Sequence, residues 1–292
     1  MLKTRRGKEI WLVTQPDHAA LAGLLAAHWG NGEFARPGAF AASPDEESVR
    51  REAILAVAEH DNGWWEWEAD PDLSPEDGLP QGLGEVLKDP ISGMQRWRLG
   101  VPRLAARHPY ASLLIGDHAQ WLYAAQFEEG HAAELTHPLQ RGRSAYPREL
   151  EPAAQRFIAE VREMQEGFRW RVSQDPLWRS ALEPEHRLPH ARLVQILDAL
   201  SLALCSDVIL PEGGGAIGLG QDALEFADVP RSEWGDRVTL RLHPVGEGRM
   251  AVDPYPFAEP ELRVAVAARV ATAGSDWRAA ERRLMSFTFA RP

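Results

Sequence analysis

Residues 189–205 read PHARLVQILDALSLALC, and this stretch decides the fold. Pro189 suits the start of a helix, and the apolar residues that follow it cover nearly every side of that helix. A helix that is apolar all round is typically buried. We therefore expect these residues to form the central helix of a helical body. Asp198 interrupts the apolar pattern halfway along.

The sequence before this stretch predicts further helices around it. The clearest start signal is a capping box in which Ser43 is the N-cap, Pro44 takes the first helical position and Glu46 closes the box. This helix reaches His60-Asp61, and the Asn-Gly pair that follows ends it. The other helical patterns cover residues 18–29 with Asp17 as the cap, residues 91–107, residues 110–127 and residues 147–172.

The character of the chain changes beyond Gly213–Gly220, a glycine-rich stretch that we interpret as a linker or turn. Apolar and polar residues then alternate at Val238, Leu240 and Leu242, at Leu262, Val264 and Val266, and at Met285, Phe287 and Phe289. With residues 249–253 these segments predict a small antiparallel sheet, which a short strand at residues 9–14 can join.

We therefore predict a mainly α fold, α+β overall, in which a small C-terminal antiparallel β-sheet packs on a helical body. The helical body covers residues 1–210 and the sheet covers residues 211–292. The sheet is too small to bury a core of its own, so the two parts should form one compact unit.

Composition narrows the class of protein. The chain has 292 residues, of which 44% are hydrophobic and 26% charged, as in ordinary globular proteins. A net charge of −11 disfavours nucleic acid as a partner. The single cysteine, Cys205, excludes an intrachain disulfide and a cysteine-rich zinc site. No apolar run approaches the roughly 20 residues of a membrane span, so we expect a cytoplasmic protein that does not insert into membranes.

Four residues stand out chemically. Asp198 lies in an apolar helix, where a carboxylate needs a hydrogen-bond network, an arginine or a cation, and Arg192 is too far along the helix to be an obvious partner. His60-Asp61 end a helix, where neighbouring side chains point about 100° apart and can grasp a cation from two directions. His18 lies on or next to an apolar stripe of another helix. Such nitrogen and oxygen ligands suit a divalent transition metal: Mn, Fe, Co, Ni or Zn.

The order of these residues resembles the HD-domain superfamily of metal-dependent phosphohydrolases, whose pattern is a His, then His-Asp, then a distant Asp. His18, His60-Asp61 and Asp198 occupy those places. The segments QPDH at 15–18, HDNGWW at 60–65 and DALSL at 198–202, with DPYPF at 253–257, are similar also to a family of uncharacterised bacterial proteins. The resemblance implies an HD-like helical bundle with His18, His60, Asp61 and Asp198 as metal ligands.

It also implies hydrolysis of a small-molecule substrate, a nucleotide or a small phosphorylated metabolite. Asp61 and His118 would be the catalytic residues, and Trp64 and Arg96 would line the substrate pocket. His118 lies where related proteins place extra histidines for a second ion, and His108 and His131 are poorer candidates there.

Three alternatives remain open from the residues alone. A di-iron oxygenase of the HD type requires a fuller set of histidines. A non-catalytic binding module would retain a degenerate metal site. The third alternative is that these residues, like the tryptophans at 64, 65 and 67, only form a packed polar corner of the core.

Overall fold

The computed structural model of the protein describes residues 1–141, 146–207, 223–246 and 248–292. The helices are α1 (Gln15–Ala27), α2 (Glu46–Ala58), α3 (Trp65–Ala69), α4 (Leu83–Val86), α5 (Pro90–Arg103), α6 (Pro109–Phe127), α7 (Glu151–Ser173) and α8 (Pro184–Cys205). The strands are β1 (Leu2–Arg6), β2 (Glu9–Val13), β3 (Leu224–Pro230), β4 (Arg237–Gly246), β5 (Arg249–Asp253), β6 (Glu261–Ala271) and β7 (Glu281–Ala290).

The central helix predicted from the sequence is α8. It begins at Pro184, and Pro189 lies inside it. Nearly all of its residues from Pro189 to Cys205 are buried, in contact with α1, α6 and α2. In the described part of the chain α8 is the one helix long and apolar enough to cross a bilayer, but 89% of the relevant window is buried inside the protein. It is therefore a core helix of the fold.

Two helix starts differ from the sequence prediction. The N-cap of α1 is Thr14, whose hydroxyl accepts from the Asp17 backbone N–H, so the helix begins before His18. The N-cap of α2 is Asp45, which accepts from Ser48 N–H, and not Ser43. The Ser43 hydroxyl instead donates to the Leu177 carbonyl, in the segment between α7 and α8.

The prediction of a mainly α fold with a small antiparallel C-terminal sheet is wrong. Among the described residues, seven strands form one large sheet in the order β1-β2-β6-β7-β5-β4-β3, and the fold is α+β. The sheet is mixed because β5 pairs in parallel with β7, and it includes both N-terminal strands. Two features concealed its extent: β1 is rich in Lys and Arg, and β2, its hairpin partner, pairs on its other side with β6, which is far away in the sequence.

The alternating segments form strands as predicted, and their apolar side chains face the helices. Across β6 and β7 the buried pairs are Leu262 with Phe289, Val264 with Phe287, and Val266 with Met285. They belong to the same hydrophobic core as α8 and the inner side chains of β1 and β2. The glycine-rich segment Gly213–Gly220 and the predicted boundary between residues 210 and 211 lie outside the described residues.

This shared core yields a first prediction. A chain that ends at Ser206 lacks β3–β7, which leaves β2 without β6 and exposes the apolar side chains that pack on the sheet. We expect this chain to be insoluble or to lose cooperative thermal unfolding in a circular dichroism scan. Cooperative unfolding at the temperature of the full chain would show that the helices form an independent core.

Candidate metal centre

Six ionisable side chains meet in the core, on three helices and two connecting segments. His18 lies in the first turn of α1, His60 and Asp61 follow the end of α2, and Asp198 lies in the second half of α8. His118 lies on α6. His137 lies in the segment between α6 and α7. All six are buried: His18, His60, Asp61, His118, His137 and Asp198.

Local structure directs these side chains inward. The Thr14 cap starts α1 so that His18 falls on its buried side, in contact with α8. At the end of α2 the chain turns through a one-turn 3-10 helix, and His60 Nδ1 donates to the Val57 carbonyl at 2.8 Å. The ring of Trp97, on α5, packs edge-on against the ring of His118, on α6, with the ring centroids 5.4 Å apart. The histidines are therefore held before any ligand binds.

Asp198 is the centre of the cluster. Its Oδ1 lies 3.2 Å from His60 Nε2, and its Oδ2 lies 3.1 Å from His137 Nε2 and 3.4 Å from His118 Nε2. Asp61 Oδ2 lies 2.9 Å from His18 Nε2. Among the described residues no lysine or arginine forms an ion pair with either carboxylate. The two buried negative charges consequently face imidazole rings alone.

The hydrogen-bond pattern assigns the tautomer of His60. A backbone carbonyl only accepts, so the contact with Val57 requires a proton on His60 Nδ1. In the neutral ring His60 Nε2 is then a bare acceptor, and it has no hydrogen-bond partner although it is buried beside Asp198. Two acceptors 3.2 Å apart in the core require a positive charge between them, either a proton on His60 Nε2 or a metal ion that replaces it.

His18 shows the same arrangement at Asp61. The Ser201 hydroxyl donates its only proton to the Asp198 backbone carbonyl at 3.0 Å, so its oxygen accepts from His18 Nδ1 at 2.9 Å. His18 Nε2 is then unprotonated in the neutral ring and lies 2.9 Å from Asp61 Oδ2. At this second pair too, a proton on Nε2 or a metal ion has to lie between the imidazole nitrogen and the carboxylate oxygen.

The electrostatics of the cluster attract cations. Burial alone would lower the pKa of His60, but Asp198 and Asp61 outweigh it and raise that pKa to about 9. Burial would raise the pKa of Asp198, yet His60 and His137 hold it well below its usual range. Burial lowers the pKa of His118 to about 3 against the attraction of Asp198, so His118 is neutral.

Two overlapping groups of side chains have the spacing that a metal ion requires. One contains His18, His60 and Asp61, and the other contains His60, His118 and Asp198. Within each group, one ligand atom from each residue lies within 4.8 Å of the others. Because His60 belongs to both groups, the cluster can hold one ion with ligands from either side, or two ions. Imidazole and carboxylate ligands suit Mn, Fe, Co, Ni or Zn.

The structure brings together the four residues predicted as metal ligands and also His118. The two residues predicted to bind substrate form a neighbouring pair: the Arg96 guanidinium lies 4.2 Å from the centre of the Trp64 ring. Trp64 follows Asp61 by one short turn, and Arg96 precedes the Trp97 that packs on His118. The pair therefore adjoins the cluster through its chain neighbours, and its role in substrate binding stays a prediction.

Sequence reasoning missed His137. Of the two weaker candidates it offered, His108 pairs instead with Glu52 at 2.6 Å, and His131 makes none of the contacts within the cluster. His137 lies in a segment without helical or alternating periodicity, so no local pattern indicates that it faces the core. The one available signal is Pro138, which favours an extended residue before it.

Comparison with known proteins agrees with part of the sequence prediction. Residues 1–272 match the family described as "Protein of unknown function (DUF3891)". The chain belongs to this family. The match includes all six residues of the cluster and ends just after β6, so the predicted resemblance to an uncharacterised family is confirmed. The resemblance to the HD-domain superfamily stays a prediction. No curated protein and no solved structure matches the chain.

Ser201 provides a test of the assigned tautomer of His18. Ser201→Ala removes the acceptor of His18 Nδ1–H, so we expect the His18 ring to lose its single tautomer in ¹⁵N NMR spectra of metal-free protein. Ser112→Ala is the matched control, because the Ser112 hydroxyl is equally buried but has no hydrogen-bond partner. An unchanged His18 signal in Ser201→Ala would contradict the assignment.

Proposed function

We propose that this protein is a metal-dependent phosphohydrolase that acts on a nucleotide or a small phosphorylated metabolite. The observation that carries the metal half of the proposal is the convergence of buried imidazole nitrogens and carboxylates at ligand spacing, with His60 Nε2 3.2 Å from Asp198 and His18 Nε2 2.9 Å from Asp61. A divalent cation satisfies all four groups at once, whereas burial of unpaired carboxylates would cost several kcal/mol.

The donor set fits such an ion. His18 and His60 would each offer Nε2, and their other ring nitrogens are already fixed by Ser201 and Val57. Fixing the second nitrogen of a ligating histidine is what outer-shell hydrogen bonds do in metal sites. Asp61 and Asp198 would supply the anionic ligands. The set contains no thiolate, so Mn, Fe, Co, Ni and Zn remain the candidates.

The phosphoester half of the proposal rests on the resemblance of the ligand order to HD-domain hydrolases. A bound divalent ion would supply Lewis acidity toward a water molecule and a phosphoryl oxygen. His118 is neutral, so it can donate one hydrogen bond to substrate without adding charge. Arg96 is half-buried over Trp64, and its buried Nη1 has no hydrogen-bond partner among the described residues, so an anionic substrate that reached it would satisfy this donor. A cytoplasmic location belongs to the same proposal.

The metal site is tested by chelation. At 100 times the dissociation constant, a bound ion stabilises the folded state by about 2.7 kcal/mol. A chelator should therefore lower the melting temperature of the wild type by roughly 4 to 5 °C. Asp198→Asn should abolish this difference, because an amide oxygen is a poorer ligand than a carboxylate. Calorimetry and elemental analysis measure both effects.

The matched control is Asp236→Asn, which removes an exposed carboxylate paired with Arg231 on the β3–β4 turn. It should keep the chelator shift of the wild type. A metal content near zero in wild-type protein produced with metal supplementation would reject the proposed function. A chelator shift that survives Asp198→Asn would remove Asp198 from the site.

One observation favours a second candidate, a di-iron oxygenase of the HD type. His118 and His137 extend the cluster beyond four ligands, and His60 is shared by two ligand groups. The identity of the bound metal and the reaction that the protein catalyses distinguish the oxygenase from the hydrolase. Iron with an optical signature in anaerobically purified protein would favour the oxygenase. Metal-dependent release of phosphate from p-nitrophenyl phosphate or a nucleotide panel, lost in Asp61→Ala, would favour the hydrolase. Bound metal with neither activity would indicate the non-catalytic module.

A further inference from the structure

One polar face of α8 holds three consecutive residues of the segment that carries His137. Gln195 Nε2 donates to the carbonyl of residue 135 at 2.8 Å, and Arg192 Nη1 donates to the carbonyl of residue 136 at 2.8 Å. His137 Nε2 then lies 3.1 Å from Asp198 Oδ2. Residues three apart on a helix are neighbours on its surface. Arg192, Gln195 and Asp198 therefore form a row on α8, and each of them contacts one residue of the segment 135–137.

Arg192 is the unusual member of this row. Its side chain is 0% exposed, and no carboxylate of the described residues pairs with it. Besides residue 136, it donates to the backbone carbonyls of Ala227 at 2.8 Å and Asp228 at 3.2 Å, and to Gln195 Oε1 at 2.8 Å. Burying a guanidinium without a counter-ion is costly, so its donors have to be used by the surrounding backbone. They tie α8 to β3 and to the His137 segment.

The His137 segment depends on these contacts. Residues 136 and 137 are extended and lie between two one-turn 3-10 helices, Ala133–Leu135 and Pro138–Gln140. The carbonyls of residues 135 and 136 are held from α8 by Gln195 and Arg192.

The ring of His137 has a defined orientation as well. Its Nδ1 accepts from Leu139 N–H at 3.3 Å, which leaves Nε2–H to donate to Asp198. Asp198 is the central carboxylate of the metal centre, so the orientation of His137 affects how that carboxylate is held.

We propose that Arg192, together with Gln195, is a positioning residue that holds His137 against Asp198. The expected effect on metal affinity rests on the proposed function, but the effect on the His137 ring does not. A guanidinium suits this role because its fork of donors reaches carbonyls of separate segments at once, which a lysine ammonium cannot do with the same geometry.

The test compares Arg192→Met and Gln195→Met in the full chain. The matched control is Arg171→Met, because Arg171 also donates to a backbone carbonyl, that of Ala105, but away from the cluster. His137→Ala assigns the His137 signal, because that signal is lost in this variant. It also gives the change in metal binding that results when the ring is absent.

The first readout is ¹⁵N NMR of the histidine rings in metal-free protein. In the wild type His137 should show a single tautomer protonated on Nε2. In Arg192→Met and Gln195→Met we expect that signal to become an average of tautomers, while Arg171→Met keeps the wild-type signal. A wild-type His137 signal in both variants would overturn the proposal. If Arg192→Met does not fold, Gln195→Met decides alone.

The second readout is Co²⁺ binding, followed by titration and absorption spectra. Loss of an outer-shell partner weakens metal binding by about 10- to 100-fold, and we expect this loss in Arg192→Met but not in Arg171→Met. Combining Arg192→Met with His137→Ala should weaken binding no further than His137→Ala alone, because both changes remove the same contact. Additive losses would overturn the proposal. If wild-type protein binds no Co²⁺, the proposed function fails, and the NMR result still decides the role of Arg192.

Discussion

The structure depends on the burial of two carboxylates, Asp61 and Asp198, among imidazole rings. Negative charge in a core has to be compensated, and here the charged side chains that commonly do so are absent from the described surroundings of both groups. The chain compensates with four histidines, two on α1 and α6 and two in the segments that follow α2 and α6, each with a ring nitrogen beside a carboxylate. A cation bound between these groups stabilises the arrangement. The packing of the helices and the chemistry of the site therefore depend on each other.

α8 provides both the apolar packing of the core and several polar side chains of the site. Its apolar residues pack on the helices and the sheet, while Arg192, Gln195, Asp198 and Ser201 follow one another at every third position. Each of the four contacts another part of the chain: β3, the His137 segment, the metal centre and His18. Surrounding apolar packing strengthens these hydrogen bonds and makes an unmatched one costly. Burial thereby selects one arrangement of the centre.

The sheet supports this arrangement from one side. Its inner face belongs to the same hydrophobic core as α8, and β3 receives the Arg192 guanidinium through two carbonyls. The family match covers the N-terminal strands, all the helices and the strands through β6. The helices and most of the sheet are thus features of one family fold, within which the cluster lies.

The sequence by itself determined the central helix, the positions of most other helices and the alternating strands, because periodicity and turn residues are local signals. It also identified His18, His60, Asp61, His118 and Asp198, since a polar residue that interrupts an apolar helical pattern can be recognised from the sequence alone. It did not determine the size of the sheet, because β2 pairs with β6, far along the chain, and β5 pairs in parallel with the non-adjacent β7. Nor did it identify His137, whose position follows from hydrogen bonds to Arg192 and Gln195. Only the tertiary structure decides such contacts, because a loop without periodicity takes its conformation from what it packs against.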